Sequence, residues 1–121
     1  MVHPWKDLIV WQKAHKLVLS TYKVTNGFPE AERFGLVQQL RRSATSIAAN
    51  IVEGKSKRTE KEFSSFLYTA RGSLEETRYH FLLAKDLGYI SEEKYDMIEQ
   101  MATEISYLLN RLISSKNKIE R

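Results

Sequence analysis

The segment from Ser43 to Gly54 reads SATSIAANIVEG and lies where the apolar spacing predicts a long helix. When residues are placed 100° apart around that helix, a polar line appears along one side: Gln39, Ser43, Ser46, Asn50 and Glu53. An apolar stripe runs directly beside it: Leu40, Ala44, Ile47 and Ile51. Together the polar line and the apolar stripe form a face that is wider than contact with a single partner helix requires. We therefore expect this helix to be covered on two sides.

On this interpretation Asn50 and Glu53 form hydrogen bonds inside the protein, because a buried amide or carboxylate without a partner costs on the order of 1–3 kcal/mol. A pair between Glu53 and an arginine of the third helix is one candidate. The alternative is that the polar line is the solvent-exposed edge of an amphipathic helix. Small apolar residues on the far side of the helix favour a covering partner: Ala48, Ala49 and Val52.

Helical spacing of apolar residues continues through the rest of the chain, and no alternating pattern indicates a strand. Helix boundaries are predicted at Asn26-Gly27-Phe28-Pro29, at Gly54 and at Gly88, and Thr59 and Ser91 are predicted N-caps. Four helices are predicted, at residues 6–25, 29–53, 59–87 and 91–115, with a tail at 116–121 that is expected to fray. Because short connections make neighbouring helices antiparallel, we predict an all-α fold, an antiparallel up-down-up-down four-helix bundle in one domain, 1–121.

The first helix is predicted to face the core with one stripe: Leu8, Trp11, His15, Val18 and Tyr22. Three more apolar residues lie off that stripe: Ile9, Val10 and Leu17. Surplus apolar surface of this kind favours contact with a partner, most simply another copy of the same chain. The sequence therefore predicts self-association.

Composition excludes several classes of protein. The 121 residues contain no cysteine, so a disulfide framework, a zinc–thiolate site and a thiol nucleophile are excluded. The N-terminal stretch is charged rather than apolar, and no run approaches the roughly 18 apolar residues of a membrane span. We expect a cytoplasmic protein with no membrane partner. The net charge of +4 permits binding of a polyanion without requiring it.

Four motifs carry a resemblance to a known family: FPxxExxGL, QLRRxxxSIxxNIxEG, KEFxxFLxxAxGSLxE and LGYI. They resemble the four-helix bundle proteins encoded in intervening sequences of bacterial 23S rRNA genes, and the match covers most of the chain. Val52 and Lys55 depart slightly from the usual residues around the NIxEG motif, which stays intact.

The resemblance implies a four-helix protomer that assembles into a ring, a pentamer. It also implies kinship with the accessory protein of diversity-generating retroelements, a basic pentameric barrel that binds nucleic acid and a reverse transcriptase. A reverse transcriptase or a ribosomal component is thus a partner implied by resemblance. The signature residues that match the family are expected to fix helix packing or the protomer interface: Gln39, Ser43, Ser46, Asn50, Glu53 and Gly54.

Nucleic-acid binding, to RNA or DNA, is the leading functional hypothesis. Its candidate residues are Arg41, Arg42, Lys55, Lys57, Arg58, Lys61, Arg71 and Arg78. Acidic residues are interspersed with them, so the alternative is that these are ordinary solvated side chains and that the protein is an adaptor for other proteins. No zinc finger or helix-turn-helix pattern is present, so any binding is expected to be to the backbone and to weaken steeply with salt.

Enzymatic activity is not expected. The three histidines, His3, His15 and His80, do not fall in a catalytic-triad or zinc spacing. A di-iron bundle needs two Glu-x-x-His pairs, whereas Glu76 and His80 are four apart and have no second copy. The stretch GKSKR lacks the strand and first glycine of a phosphate loop. We therefore predict no catalytic residues, no metal site and no cofactor.

Overall fold

The computed structural model describes residues 3–119, with side chains described from residue 3 to residue 116. Within that range the chain contains no strand and forms four α-helices and one short 3₁₀ turn. The α-helices are α1 (Ile9–Thr25), α2 (Leu36–Lys55), α3 (Glu60–Asp86) and α4 (Glu92–Ile119), and the 3₁₀ turn is Glu30–Glu32. The predicted all-α fold is confirmed.

The four helices form an antiparallel bundle. Each helix packs against its neighbour in sequence, and α1 packs against α4 to close the bundle, while α1–α3 and α2–α4 are the diagonal pairs. The largest fully buried apolar side chains come from all four helices: Leu17, Leu40, Ile47, Ile51, Leu67, Leu74, Phe81, Ile98, Ile105 and Leu109. The predicted up-down-up-down arrangement is therefore confirmed. Contact is most extensive between α2 and α3.

The core face of α1 differs from the predicted one. Val10 and Leu17, which the sequence placed off the core stripe, are buried, whereas His15 and Tyr22 are exposed. The buried stripe also contains Thr21, whose hydroxyl donates to the carbonyl oxygen of Leu17 at 2.7 Å. Because that bond lies within the helix, a polar residue occupies the core without an unpaired group. Two stripes of α1 have helical spacing, and spacing alone could not choose between them.

Helix α2 begins later than predicted, at Leu36 rather than near residue 29. Pro29 and the glutamates after it form only the 3₁₀ turn, and Gly35 leaves the helical conformation with φ −112° and ψ −106°. The carboxylate of Glu32 then accepts a hydrogen bond from the backbone N–H of Leu36 at 3.1 Å. Its other oxygen accepts from the hydroxyl of Tyr89 at 2.8 Å. Glu32 therefore both caps α2 and ties the α1–α2 loop to the α3–α4 loop.

The other helix ends follow capping chemistry. The Thr59 hydroxyl accepts from the backbone N–H of Glu62 at 3.1 Å, which is the predicted cap of α3. Ser91 accepts from the N–H of Lys94 at 3.1 Å in the same way. Helix α4 continues to Ile119, so residues 116–119 of the predicted frayed tail are helical, and residues 120–121 lie outside the described part of the chain. Helix α1 starts at residue 9 rather than 6.

Candidate nucleic-acid interface

Two polar residues of the segment from Ser43 to Gly54, Ser43 and Ser46, pair with polar residues of α3 within the contact between α2 and α3. The Thr77 hydroxyl lies 2.8 Å from the hydroxyl of Ser43, which is fully buried. One turn further along, the hydroxyls of Ser46 and Ser73 are 2.8 Å apart. We call these four residues the polar seam. Because hydroxyl groups on short side chains pair with each other here, the two helices approach closely without leaving a buried polar group unpaired.

Gly54 completes this contact. A Cβ atom at Gly54 would lie 2.7 Å from the Cβ of Phe66 and 3.0 Å from Cδ1 of Phe63. The added Cβ and the Cβ of Phe66 cannot rotate away from each other, because the position of a Cβ atom is set by the backbone. The absence of a side chain at residue 54 is therefore what lets α3 pack against the end of α2.

The expectation that Glu53 is hydrogen-bonded inside is wrong for the protomer. Glu53 is exposed, and its carboxylate has no ion pair or side-chain hydrogen bond with any described residue. Asn50 is half-buried, and its amide donates to the carbonyl oxygen of Ser46 at 2.8 Å, within its own helix. Gln39 is exposed and accepts from Arg42. The polar line thus divides into a buried part and a solvent-exposed edge.

The two arginines of α3 are unavailable to Glu53 because both face α4. Arg71 donates to the side-chain oxygen of Asn110 at 3.0 Å. Arg78 donates two hydrogen bonds to Glu99, at 3.1 and 2.9 Å, in a half-buried pair. These bonds, chiefly the hydrogen bond to Glu99, raise the pKa of Arg78 above its ordinary value. Both arginines therefore join α3 to α4.

The two arginines of α2 are also held within the protomer. Arg41 donates to the hydroxyl of Thr25 at 3.0 Å and to the side-chain oxygen of Asn26 at 3.1 Å, and its guanidinium lies 4.6 Å from the ring centroid of Tyr22. It therefore fixes the end of α1. Arg42 is exposed but forms an ion pair with Glu76 of α3.

The remaining four candidates lie together around the α2–α3 loop, and we call them the basic end: Lys55, Lys57, Arg58 and Lys61. None of them forms an ion pair with a carboxylate among residues 3–116. Two of the ammonium groups lie over aromatic rings, Lys55 at 5.6 Å from the centroid of Phe63 and Lys57 at 5.1 Å from that of Phe66. The aromatic faces stabilise the cations without neutralising their charge.

Sequence reasoning missed one further cation at this end. Lys116, assigned to the frayed tail, lies on α4 with its ammonium 5.3 Å from the ring centroid of Phe63, and it pairs with Glu60 at 2.7 Å. The signal was its spacing from the apolar residues Leu109 and Ile113, which continue the helix of α4.

The opposite end of the bundle is rich in carboxylates. They come from the α1–α2 loop, the end of α3 and the start of α4: Glu30, Glu32, Asp86, Glu92, Glu93 and Asp96. Since α3 alone spans about 40 Å, the two ends lie far apart compared with a Debye length of about 8 Å at physiological salt. Arg33, Lys85 and Lys94 lie among these carboxylates, and Glu53, Glu60 and Glu62 lie beside the basic end. Carboxylates therefore outnumber cations at one end and cations outnumber carboxylates at the other.

The histidines do not meet in one place. His3 stacks on Trp5 with ring centroids 5.0 Å apart, and His15 stacks on Trp11 at 5.1 Å. His80 lies 3.2 Å from the carboxylate of Glu76. Within the described residues, no three His, Asp or Glu side chains are grouped so that they could hold a metal ion. No helix in that part of the chain is both long and apolar enough to cross a membrane.

These features define an all-α four-helix bundle with a close polar contact between two helices and, at one end, a cluster of cations that pair with no carboxylate in the described part of the chain. The family model described as 23S rRNA-intervening sequence protein matches residues 6–111. The chain therefore belongs to the 23S rRNA-intervening sequence protein family.

One solved structure shows the same fold. It is a crystal structure of a protein with unknown function from the S23 ribosomal protein family of Bacteroides thetaiotaomicron. It is 31% identical to this chain, covers 87% of this chain and 98% of its own, and superposes with a TM-score of 0.78. The comparison with curated proteins gave no match.

Proposed function

We propose that this protein is a non-enzymatic accessory scaffold of the cytoplasm that self-associates and binds the phosphate backbone of RNA or DNA through its basic end. The observation that supports the proposal is that the four cations of the basic end pair with no carboxylate of residues 3–116, whereas the other four candidate cations are bound within the protomer. A phosphate chain is the natural counter-charge for such a cluster.

The chemistry of the basic end favours backbone contacts. Lysine binds phosphate as a flexible point charge, and three of the four residues are lysines. No element here has the form of a recognition helix that enters a groove, because the cations lie on a loop and the helix ends beside it. Binding of four phosphates per protomer predicts a slope of roughly −3 to −4 in log affinity against log salt.

Self-association strengthens this proposal. A ring multiplies a modest basic cluster by the number of copies, so several weak contacts to one strand act as a single tight one. The copy number of five rests on the family resemblance. A reverse transcriptase or a ribosomal component as protein partner rests on the same resemblance.

The proposal is tested by measuring the affinity for a labelled single-stranded RNA, a duplex RNA and a duplex DNA by fluorescence anisotropy. The test variant is Lys57→Gln/Arg58→Gln/Lys61→Gln. The matched control is Arg33→Gln/Lys85→Gln/Lys94→Gln, which removes the same charge at the opposite end. We expect the test variant to bind at least about 10-fold more weakly at 50 mM salt and the control less than about 3-fold.

The two outcomes against the proposal differ in meaning. Equal losses in both variants show that net charge alone matters and that the basic end has no special role. If the unmodified protein binds neither RNA nor DNA at low salt, the nucleic-acid function is excluded. The second candidate, an adaptor for other proteins, is then favoured, in accord with the use of Arg41, Arg42, Arg71 and Arg78 inside the protomer.

A further inference from the structure

Charge is divided unevenly between the two sides of the bundle. Helices α3 and α4 each carry five carboxylates and four cations. Helices α1 and α2 together carry a single carboxylate, that of Glu53, and six cations: Lys13, Lys16, Lys23, Arg41, Arg42 and Lys55. The α1–α2 side of the bundle is therefore basic along its length, whereas the α3–α4 side is not.

Four aromatic rings stand in a row at the start of α1. The ring centroids of His3 and Trp5 are 5.0 Å apart, those of Trp5 and Trp11 are 4.7 Å apart, and those of Trp11 and His15 are 5.1 Å apart. We call these four residues the aromatic ladder. His15 is exposed, and the other three are half-buried. Trp11 stacks on one face of His15, and no further ring of residues 3–116 lies against the other face. The ladder therefore has an open end at His15.

The ladder lies on the side of α1 that faces α2. Tyr22 follows His15 by seven residues, so the two rings lie on one line of the helix, and the guanidinium of Arg41 of α2 lies 4.6 Å from the ring centroid of Tyr22. Lys13, on another side of α1, pairs with Glu104 of α4. The ladder therefore borders the junction of α1 with α2 and not the junction of α1 with α4.

The facing residues of α2 are small. They follow Arg41 by four, seven and eleven residues and so lie on its side of the helix: Thr45, Ala48 and Val52. We call the surface between these three residues and the line of Trp11, His15 and Tyr22 the α1–α2 groove. Because the bundle is antiparallel, the start of α1 and the end of α2 lie at the same end. The groove therefore opens onto the basic end.

The two nearest carboxylates face away from the groove. Glu53 follows Ser46 by seven residues, and Ser46 contacts Ser73 of α3, so Glu53 lies on the α3 side of α2. Asp7 lies with Leu108 in a depression between the start of α1 and α4. The groove is therefore bordered by aromatic rings and cations without a carboxylate of α1 or α2.

Two lysines accompany the exposed rings. Lys16 and Lys23 directly follow His15 and Tyr22 in the sequence, and both are exposed. Neither forms an ion pair with a carboxylate among residues 3–116. Cations beside exposed rings are the pattern with which proteins bind single-stranded nucleic acid, since the cations attract the phosphates and the rings stack on unpaired bases. The bases of a duplex are stacked on each other and do not offer their faces to a side chain.

From these observations we propose that the α1–α2 groove extends the basic end into a track for single-stranded nucleic acid. A base stacks on the open face of His15, and the phosphates follow Lys16 and Lys23. The proposal rests on the nucleic-acid binding of the proposed function and specifies the form of the nucleic acid and the surface that it follows. The ladder also holds residues 3–8 against α1, but that contact uses His3 and Trp5 and leaves the outer face of His15 free.

The test compares single strands with a duplex on matched variants. Labelled oligouridylate and oligothymidylate of about 12 nucleotides, and an RNA duplex of the same length, are titrated at 50 mM salt by fluorescence anisotropy. The variants are His15→Ala, which removes the ring, and His15→Phe, which keeps a ring. The control is Tyr79→Ala, which removes an exposed ring of α3. Circular dichroism melting first establishes that each variant is folded.

We expect His15→Ala to bind both single strands at least about 5-fold more weakly and the duplex less than about 2-fold more weakly, because only an unpaired base stacks on the ring. His15→Phe and the control are expected to keep the affinity of the unmodified protein for all three ligands. Intrinsic fluorescence locates the contact, since both tryptophans of the chain, Trp5 and Trp11, belong to the ladder. Single strands should change its emission, and the duplex should not.

The possible failures are distinguishable. If the unmodified protein binds neither form of nucleic acid at low salt, the proposed function is excluded, and the track with it. If single strands bind with no loss in His15→Ala and no change in tryptophan emission, the basic end remains a binding site and the track is wrong. Equal losses for single strands and duplex, or an equal loss in His15→Phe, exclude base stacking. Tryptophan emission that shifts on dilution of the protein but not with nucleic acid would show that a second copy covers the groove.

Discussion

Gly54 and Gly72 are both helical glycines, and the structure gives them opposite surroundings. At Gly54 a methyl group would collide with Phe66 of α3, whereas at Gly72 it would meet nothing. The first glycine is explained by contact between two helices of one protomer. The second has no explanation in the contacts of the protomer. The comparison shows that the same residue type reports on internal packing at one position and on an external surface at another.

The contacts around the two glycines differ in the same way. Gly54 lies against two phenylalanines of α3, at one end of the interface that contains the polar seam further along the helices. Around Gly72 lie two exposed tyrosines, Tyr68 and Tyr79, and the guanidinium of Arg71 lies 4.8 Å from the ring centroid of Tyr68. Substitution by alanine should therefore change the free energy of unfolding in opposite directions at the two sites.

The largest effect is expected for Gly54→Ala. The new Cβ would lie 2.7 Å from the Cβ of Phe66, so α2 and α3 must move apart. We expect the free energy of unfolding to fall by about 2 kcal/mol, which is typical of overpacking a core. Urea denaturation followed by circular dichroism measures it. An unchanged midpoint would show that the ends of these helices separate without cost.

A smaller loss is expected for Thr77→Val, which keeps the shape of the side chain and removes its hydroxyl. The buried hydroxyl of Ser43 then loses its partner across the seam. We expect a loss of about 1 kcal/mol in the free energy of unfolding. The matched control is Thr69→Val, at an exposed position of the same helix, for which no measurable loss is expected. Equal effects at the two positions would contradict a stabilising role for the seam.

The smallest effect, and one of opposite sign, is expected for Gly72→Ala. The substitution should raise the free energy of unfolding by about 0.5–1 kcal/mol relative to the unmodified protein, because alanine favours the helix and meets no neighbour within the protomer. Urea denaturation of the two proteins gives the difference. A loss of stability would mean that the protomer itself needs the glycine, and the comparison with Gly54 would no longer hold.

The sequence was sufficient for the fold because its strongest signals are local. Apolar spacing gave four helices, and Thr59 and Ser91 cap α3 and α4 as predicted. The predicted start of α2 was wrong because proline and glutamate, as found at Pro29 and just after it, are common in the first turn of many helices. Only the bond from Leu36 to Glu32, which depends on the fold of the loop, reveals the true start.

The candidate site was harder to predict because charge state depends on partners distant in sequence. Arg78 and Lys57 look alike in the sequence, yet the first is paired with Glu99, 21 residues away, and the second pairs with no carboxylate among residues 3–116. The error at Glu53 has the same origin: the periodicity placed it beside Asn50, but the arginines of α3 point toward α4. A helical wheel shows on which face of its helix a residue lies, but it does not show which other helix supplies the residue's partner.

The separation of charge along the bundle has a consequence for any assembly in which the copies stand parallel. All α2–α3 loops then gather on one rim and all α1–α2 loops on the other, so the assembly is a disc with two chemically different sides. In the proposed function, a polyanion would bind to the first rim. A strand bound there would leave the carboxylate-rich rim open to a protein.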